Sequence, residues 1–227
     1  MPVSLCSPHG FEGAEYLVCP IPLTGYRVTV GHNAVGAGRT ETVADNFVAL
    51  ETASDAPLLV MNGGMYREDL SALGLLIENG QTVRGLNRAD AVGNFYLKPN
   101  GVFWIDDAGN AVIEETEAFA GADRDPAFAT QSGPLLVSRR ALHPSISHDG
   151  QSRHIRNGVG VREDGQVVLV ISRFPVSLGA LARLFRDELD CPDVLYLDGV
   201  VSALATEGGL HVGGRYPAGP VIVVERR

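Results

Sequence analysis

The run LYLDGVVSAL, residues 195–204, is apolar enough for a buried strand, yet Asp198 and Gly199 interrupt it. A carboxylate in such a setting is costly unless it is paired, hydrogen-bonded or put to chemical use. Three other polar groups sit in comparable places. Asn62, Gly63 and Gly64 follow the apolar PLLVM; Gln131, Ser132 and Gly133 precede Pro134 and LLVS; Arg156 and Asn157 open GVGV. An aspartate can activate water or attack an electrophilic carbon, and a guanidinium can hold two phosphate oxygens at once. Asn62, Gln131 and Ser132 offer neutral hydrogen bonds to sugar hydroxyls or phosphate. The amides of Gly63 and Gly64 offer an anion-binding concavity. Each has a plainer reading as well: NGG and QSGP are turn sequences, Arg156 can be a structural partner of an acid, and Asp198 can close an Asx turn. A second rank comprises Tyr66, Asp69, Lys98, His143 and Arg153, of which Lys98 is also explained by the turn sequence KPNG.

These residues follow or interrupt apolar runs, and strand ends are where site residues gather on a rigid scaffold. The 27 glycines and 13 prolines among 227 residues favour many short strands over a helical bundle. Residues 15–30 read as two strands around a Pro/Thr/Gly turn. After a glycine-rich stretch, Thr40 caps a helix with Val43, Phe47 and Leu50 on one face. Residues 57–61 form a buried strand, and a hairpin turns at Asn79 and Gly80. Further turns fall at 98–101, with Pro99 in second position, and at 106–110. Asp164 and Gly165 form a two-residue hairpin turn between GVGV and QVVLVIS. Ser177 caps a helix carrying Leu178, Leu181, Phe185 and Leu189, which Pro192 ends before a strand at 193–197. With no repeat or linker, the expectation is one compact α+β domain over residues 1–227, a sheet-rich mixed or antiparallel core with a few helices.

The net charge of −9 excludes a nucleic-acid footprint and requires a local cationic pocket for any anionic ligand. No apolar run is long enough to cross a bilayer. Residues 1–20 lack a basic start followed by an apolar segment, so no signal peptide is visible. That leaves a cytoplasmic protein or a trimmed exported one. Cys6 and Cys19 either form a disulfide or stay reduced with Cys191. HExxH, CxxC, GxxxxGK[ST] and GxSxG are all missing, and GAG at 36–38 lacks the remainder of a dinucleotide fingerprint. No metal or cofactor is expected, although scattered aspartates leave calcium open.

In order along the chain, Asn62-Gly63-Gly64-Met65-Tyr66, Gln131-Ser132-Gly133-Pro134-Leu135, Arg156 with Gly158-Val159-Gly160, and Leu197-Asp198-Gly199-Val200-Val201-Ser202 resemble the motifs of the phosphodiester glycosidase family. The likeness covers about residues 57–204 and is nearest to a compact bacterial branch whose members are usually exported, which favours a periplasmic home. It implies hydrolysis of the bond between a sugar's anomeric carbon and a phosphodiester. Asp198 and Arg156 would be catalytic. Asn62, Gly63, Gly64, Tyr66, Lys98, Gln131, Ser132, Gly133, Asn157, Gly199 and Ser202 would bind substrate. The expected partner is a phosphorylated saccharide or anionic glycan; a non-catalytic glycan-binding module and a structural envelope protein are the alternatives. One departure stands out: the mammalian-type motif reads LDGGGS, and here two of its glycines are Val200 and Val201, which restricts the loop after Asp198.

Overall fold

The computed structural model describes residues 5–31, 42–45, 57–214 and 216–227. Its strands form three sheets. The largest runs in the order Ser7–Phe11 (β1), Ala14–Ile21 (β2), Val167–Ser172 (β13), Asn157–Val161 (β12), Asp193–Asp198 (β14), Leu135–Ser138 (β10) and Ala141–Leu142 (β11). The second is Gly209–Val212 (β16), Leu204–Thr206 (β15), Leu59–Asn62 (β4), Val221–Arg226 (β17) and Tyr26–Gly31 (β3). The third is Gln81–Arg84 (β6), Leu76–Glu78 (β5), Pro126–Ser132 (β9), Gly101–Asp106 (β7) and Ala111–Glu115 (β8). The ladders within them are antiparallel. With helices at Thr116–Ala120 (α1) and Leu178–Arg183 (α2), the fold is α+β, as expected.

Burial explains the strand sequences. One face of the large sheet contributes Leu17, Val159, Leu169 and Leu195 to a core shared with Leu59 and Ile222 of the second sheet and Leu76 and Phe103 of the third. Its other face packs Tyr16, Val168, Val170 and Tyr196 against Leu181 and Phe185 of the helical segment. A sheet covered on both faces has no polar side, so VVLVIS reads as one continuous apolar run. Gly158 and Gly160 leave the space that Phe185 fills: a Cβ at Gly160 would sit 2.9 Å from the ring. Ser177 accepts from the Ala180 amide at 3.1 Å and caps α2, and the helix continues as a π-turn over Leu184–Glu188.

Most local expectations match. Asn79 and Gly80, both at positive φ, turn the β5–β6 hairpin. Residues 15–30 do form two strands, but β2 pairs with β1 and β13 whereas β3 pairs with β17, so the intervening turn passes between sheets. The β12–β13 turn is one residue longer than the Asp164–Gly165 signal predicts. Gly165 N–H donates to Arg162 O and Arg162 N–H to Gln166 O, both at 2.9 Å, with Gly165 at φ 82°. That is a type I turn closed by a left-handed glycine, the three-residue alternative. The Lys98–Pro99 peptide is cis, unlike the ordinary turn position expected of Pro99. Of the helix expected after Thr40, residues 43–45 are helical, and Thr42 and Asp45 exchange hydrogen bonds there. Thr40, Phe47 and Leu50 lie outside the described residues. Cys6 and Cys19 form a disulfide, and Cys191 is a buried free thiol whose pKa burial pushes up to about 12.

Candidate active site

Register brings the aspartate and the arginine together. Asn157 of β12 pairs with Asp198 of β14, and the ladder shifts by a bulge immediately after Asn157. Arg156, one residue before β12, therefore emerges beside the C-terminal end of β14. Both line a cavity of about 390 Å³ whose walls also include Met65, Tyr66, Leu73, His154 and Tyr196.

Asp198 is 6% exposed. Its Oδ1 accepts the amides of Gly199, Val200 at 2.6 Å and Val201 at 3.4 Å, so the chain turns around one carboxylate oxygen. Oδ2 has no hydrogen-bond partner among the described residues and remains available for chemistry. The Asx-turn expectation is met by one oxygen alone. Burial raises the Asp198 pKa; the three amides and, last in weight, Arg156 oppose the rise without cancelling it. Sequence reasoning has an opposite charge holding this group ionised. In the fold, desolvation outweighs that charge.

Arg156 is 1% exposed and its donors are largely committed. Nε donates to Val176 O at 2.9 Å, one terminal nitrogen to Tyr196 Oη at 2.7 Å, and the other to Ser152 O and Oγ at 3.0 and 3.2 Å. Its carbon lies 5.4 Å from the Tyr196 ring centroid. Four of its five N–H bonds are therefore satisfied, and a two-oxygen grip on phosphate is not available. Gly199 is required here because a methyl at its Cα would collide with Tyr196 Oη and approach Arg156 to 3.1 Å. Neither Val200 nor Val201 has a positive φ, which explains why valine fits where the mammalian-type motif carries glycine.

Most other expected ligand-binding residues hold the scaffold instead. Asn62 and Asn157 are fully buried and bond each other side chain to side chain, and Asn62 Oδ1 also takes the Ala203 amide at 2.9 Å. Ser202 Oγ donates to Asp198 O at 3.0 Å, tying the Asp198 loop to this pair. Gly63 gives its amide to Pro220 O at 2.7 Å, and a Cβ on Gly64 would lie 2.8 Å from Thr130 Oγ1. Gln131 uses both oxygen lone pairs on the Leu75 and Asn87 amides and both donors on Asn87 O and Thr116 Oγ1. Ser132 Oγ donates to Leu197 O at 3.2 Å, and a Cβ on Gly133 would lie 2.6 Å from Phe95 O. Lys98 pairs with Asp90 at 2.6 Å, away from the cavity. Tyr66 does line the cavity; burial and then the Asp198 charge push its phenol up to about 12, and the hydroxyl donates to Pro217 O at 2.7 Å. In the second rank, Asp69 closes a turn onto Ser71, and His143 is buried with its pKa lowered by burial. Among the described residues no group of three or more His, Cys, Asp or Glu is placed to hold a metal ion.

Sequence reasoning missed Tyr196, Asn94, Met65, Leu73 and His154 as lining residues. Tyr196 was the legible one: two positions before Asp198 on a strand, it shares the aspartate's face.

Antiparallel sheets with a buried carboxylate and a guanidinium beside one cavity define an α+β protein. Residues 56–221 match the phosphodiester glycosidase family model, and the chain belongs to that family. It is 39% identical over 170 residues to the uncharacterized protein YigE of Escherichia coli K12, covering 74% of this chain and 66% of that protein, just under two thirds of its length. In fold it is similar to the catalytic domain of zebrafish N-acetylglucosamine-1-phosphodiester α-N-acetylglucosaminidase, with a TM-score of 0.67 and 15% identity over 98% of this chain and 82% of that one. A hypothetical protein from Synechocystis gives a TM-score of 0.61, also at 15% identity, over 98% of this chain and 61% of that one. At such identities these two structures establish the fold alone.

Proposed function

We propose that the chain, acting as one domain, hydrolyses the bond between a sugar's anomeric carbon and a phosphodiester, with Asp198 as its reacting group. The observation that carries this is that Asp198 is the only carboxylate lining the cavity among the described residues. Ordinary glycoside hydrolysis uses two, one of them to protonate the leaving oxygen. A phosphate ester departs as a stabilised anion and needs no such acid, so one carboxylate is enough. Asp198 Oδ2 takes a proton from water as the water oxygen bonds to the anomeric carbon; the bond from that carbon to the phosphate oxygen breaks, and its electron pair leaves with the phosphate. The products are a free sugar and a phosphomonoester. Arg156 acts by position: it fixes the Tyr196 phenol and lends positive potential to the cavity. The Cys6–Cys19 disulfide supports an exported location, where such bonds persist.

The test is incubation with a panel of sugar-1-phosphodiesters, starting with those of N-acetylglucosamine. Equal amounts of free sugar and phosphomonoester are expected. Tight binding of a panel member with no turnover would instead make the protein a glycan-binding module.

A further inference from the structure

A second cleft of about 630 Å³ adjoins the Asp198 cavity, sharing His154, Gly199, Val200 and Val201 with it. The loop that wraps Asp198 is thus a ridge with a hollow on each side. Two features distinguish the outer hollow. Arg153 lines it and makes no hydrogen bond or ion pair among the described residues, whereas Arg156 inside is nearly saturated. Exposed apolar side chains also gather there. Among the described residues six large ones are exposed, and two of them, Val200 at 82% and Tyr216 at 62%, line the hollow. Phe174, 61% exposed, precedes its wall residue Pro175, and Leu210 lies against its Gly214. A guanidinium without a partner among the described residues, in one cleft with the exposed Tyr216 ring, suits a ligand with one anionic group and one flat, apolar-faced ring.

We propose that this outer cleft is the leaving-group subsite: the diester phosphate lies on the ridge near His154 and Arg153, and the sugar esterified to it stacks on Tyr216. This rests on the reading above, because the inner cavity must hold the ring whose anomeric carbon meets Asp198. It transfers the phosphate-holding role from Arg156 to Arg153 and makes Tyr216 a determinant of which leaving group is accepted.

The test uses binding, so that it does not depend on turnover. In an Asp198→Asn background, dissociation constants are measured by calorimetry for two probes: N-acetylglucosamine-1-phosphate as its methyl diester, and as its diester with the 6-hydroxyl of a methyl hexoside. Tyr216→Ala should weaken the hexoside diester about tenfold and the methyl diester less than twofold. Arg153→Ala should weaken both by ~10–100-fold, with Arg153→Lys recovering part of the loss. Unchanged melting temperatures separate these effects from misfolding. Equal effects of Tyr216→Ala on both probes, no effect on either, or an Arg153→Ala that binds normally would overturn the subsite, as would a parent protein that binds neither probe. If the expected pattern appears while the wild type cleaves no diester, the cleft stands as the binding site for the second ester group, and the catalytic reading falls together with the leaving-group role. Turnover without the pattern does the opposite: the catalytic reading stands and the subsite falls.

Discussion

At the scale of the residue, Asp198 spends one oxygen on the turn that follows it, the other is the atom proposed to react, and its titration follows from where it sits. The proposed reaction needs the ionised form, and burial raises the pKa. Acidification should therefore protonate it at a higher pH than an ordinary aspartate near 4. The acid limb of kcat/KM is expected above the usual aspartate range, and a pH–rate profile checks this. Stability carries the corresponding sign. A raised folded-state pKa favours the protonated group, so its contribution is present below the unfolded pKa and lost as pH rises through the folded one. Asp198→Asn keeps an oxygen for the three amides without a buried charge. It should melt higher than the wild type at pH 7, with the gap closing at acid pH in thermal scans. Tyr196→Phe is a different kind of change. It removes the oxygen that Arg156 donates to and leaves a buried N–H unpaired, at a cost of about 1–3 kcal/mol in denaturant unfolding.

At the scale of the element, the site is a consequence of register. Asn157 opposite Asp198 sets Arg156 beside the end of β14, and the Asn62–Asn157–Ser202 network fastens β4 and the Asp198 loop to that pairing. Gln131 does the same for the third sheet by joining β9 to the segments at Leu75, Asn87 and Thr116. Gln131→Ala severs four side-chain hydrogen bonds, two of them buried and two part-buried, and should cost about 3 kcal/mol or more of stability. KM for a diester substrate should change little, since the side chain does not line the cavity; urea unfolding alongside steady-state kinetics separates the two effects. The sequence marked these positions correctly as polar groups in apolar surroundings. It could not tell a group that binds ligand from one that binds another strand, because the two share composition and differ only in what lies opposite. That is also why Arg156 read as a phosphate clamp: its partners Val176 O, Ser152 and Tyr196 are unremarkable in the chain and meet it only after β12, β13 and β14 align.

At the scale of the whole molecule, a sheet covered on both faces supplies the rigidity, and the loops at one end of it supply the site. The strand-rich class, the β5–β6 turn and the capped helix were legible because each depends on neighbours in sequence: positive-φ residues at Asn79 and Gly80, a serine ahead of an apolar helical stripe. The division of 15–30 between two sheets was not, because pairing partners are set by the distant β13 and β17. The Cys6–Cys19 bond ties the residue ahead of the edge strand β1 to its neighbour β2. Its loop is short, and replacing both cysteines by alanine should lower unfolding stability by ~2–4 kcal/mol, measured against the oxidised wild type.

The direct test of Asp198 as the reacting group is the turnover number of Asp198→Asn on a sugar-1-phosphodiester that the wild type cleaves. A fall of about a thousandfold or more, in a protein that keeps its fold and still binds the substrate, is the result predicted. Turnover within about threefold of the wild type would remove Asp198 from the chemistry.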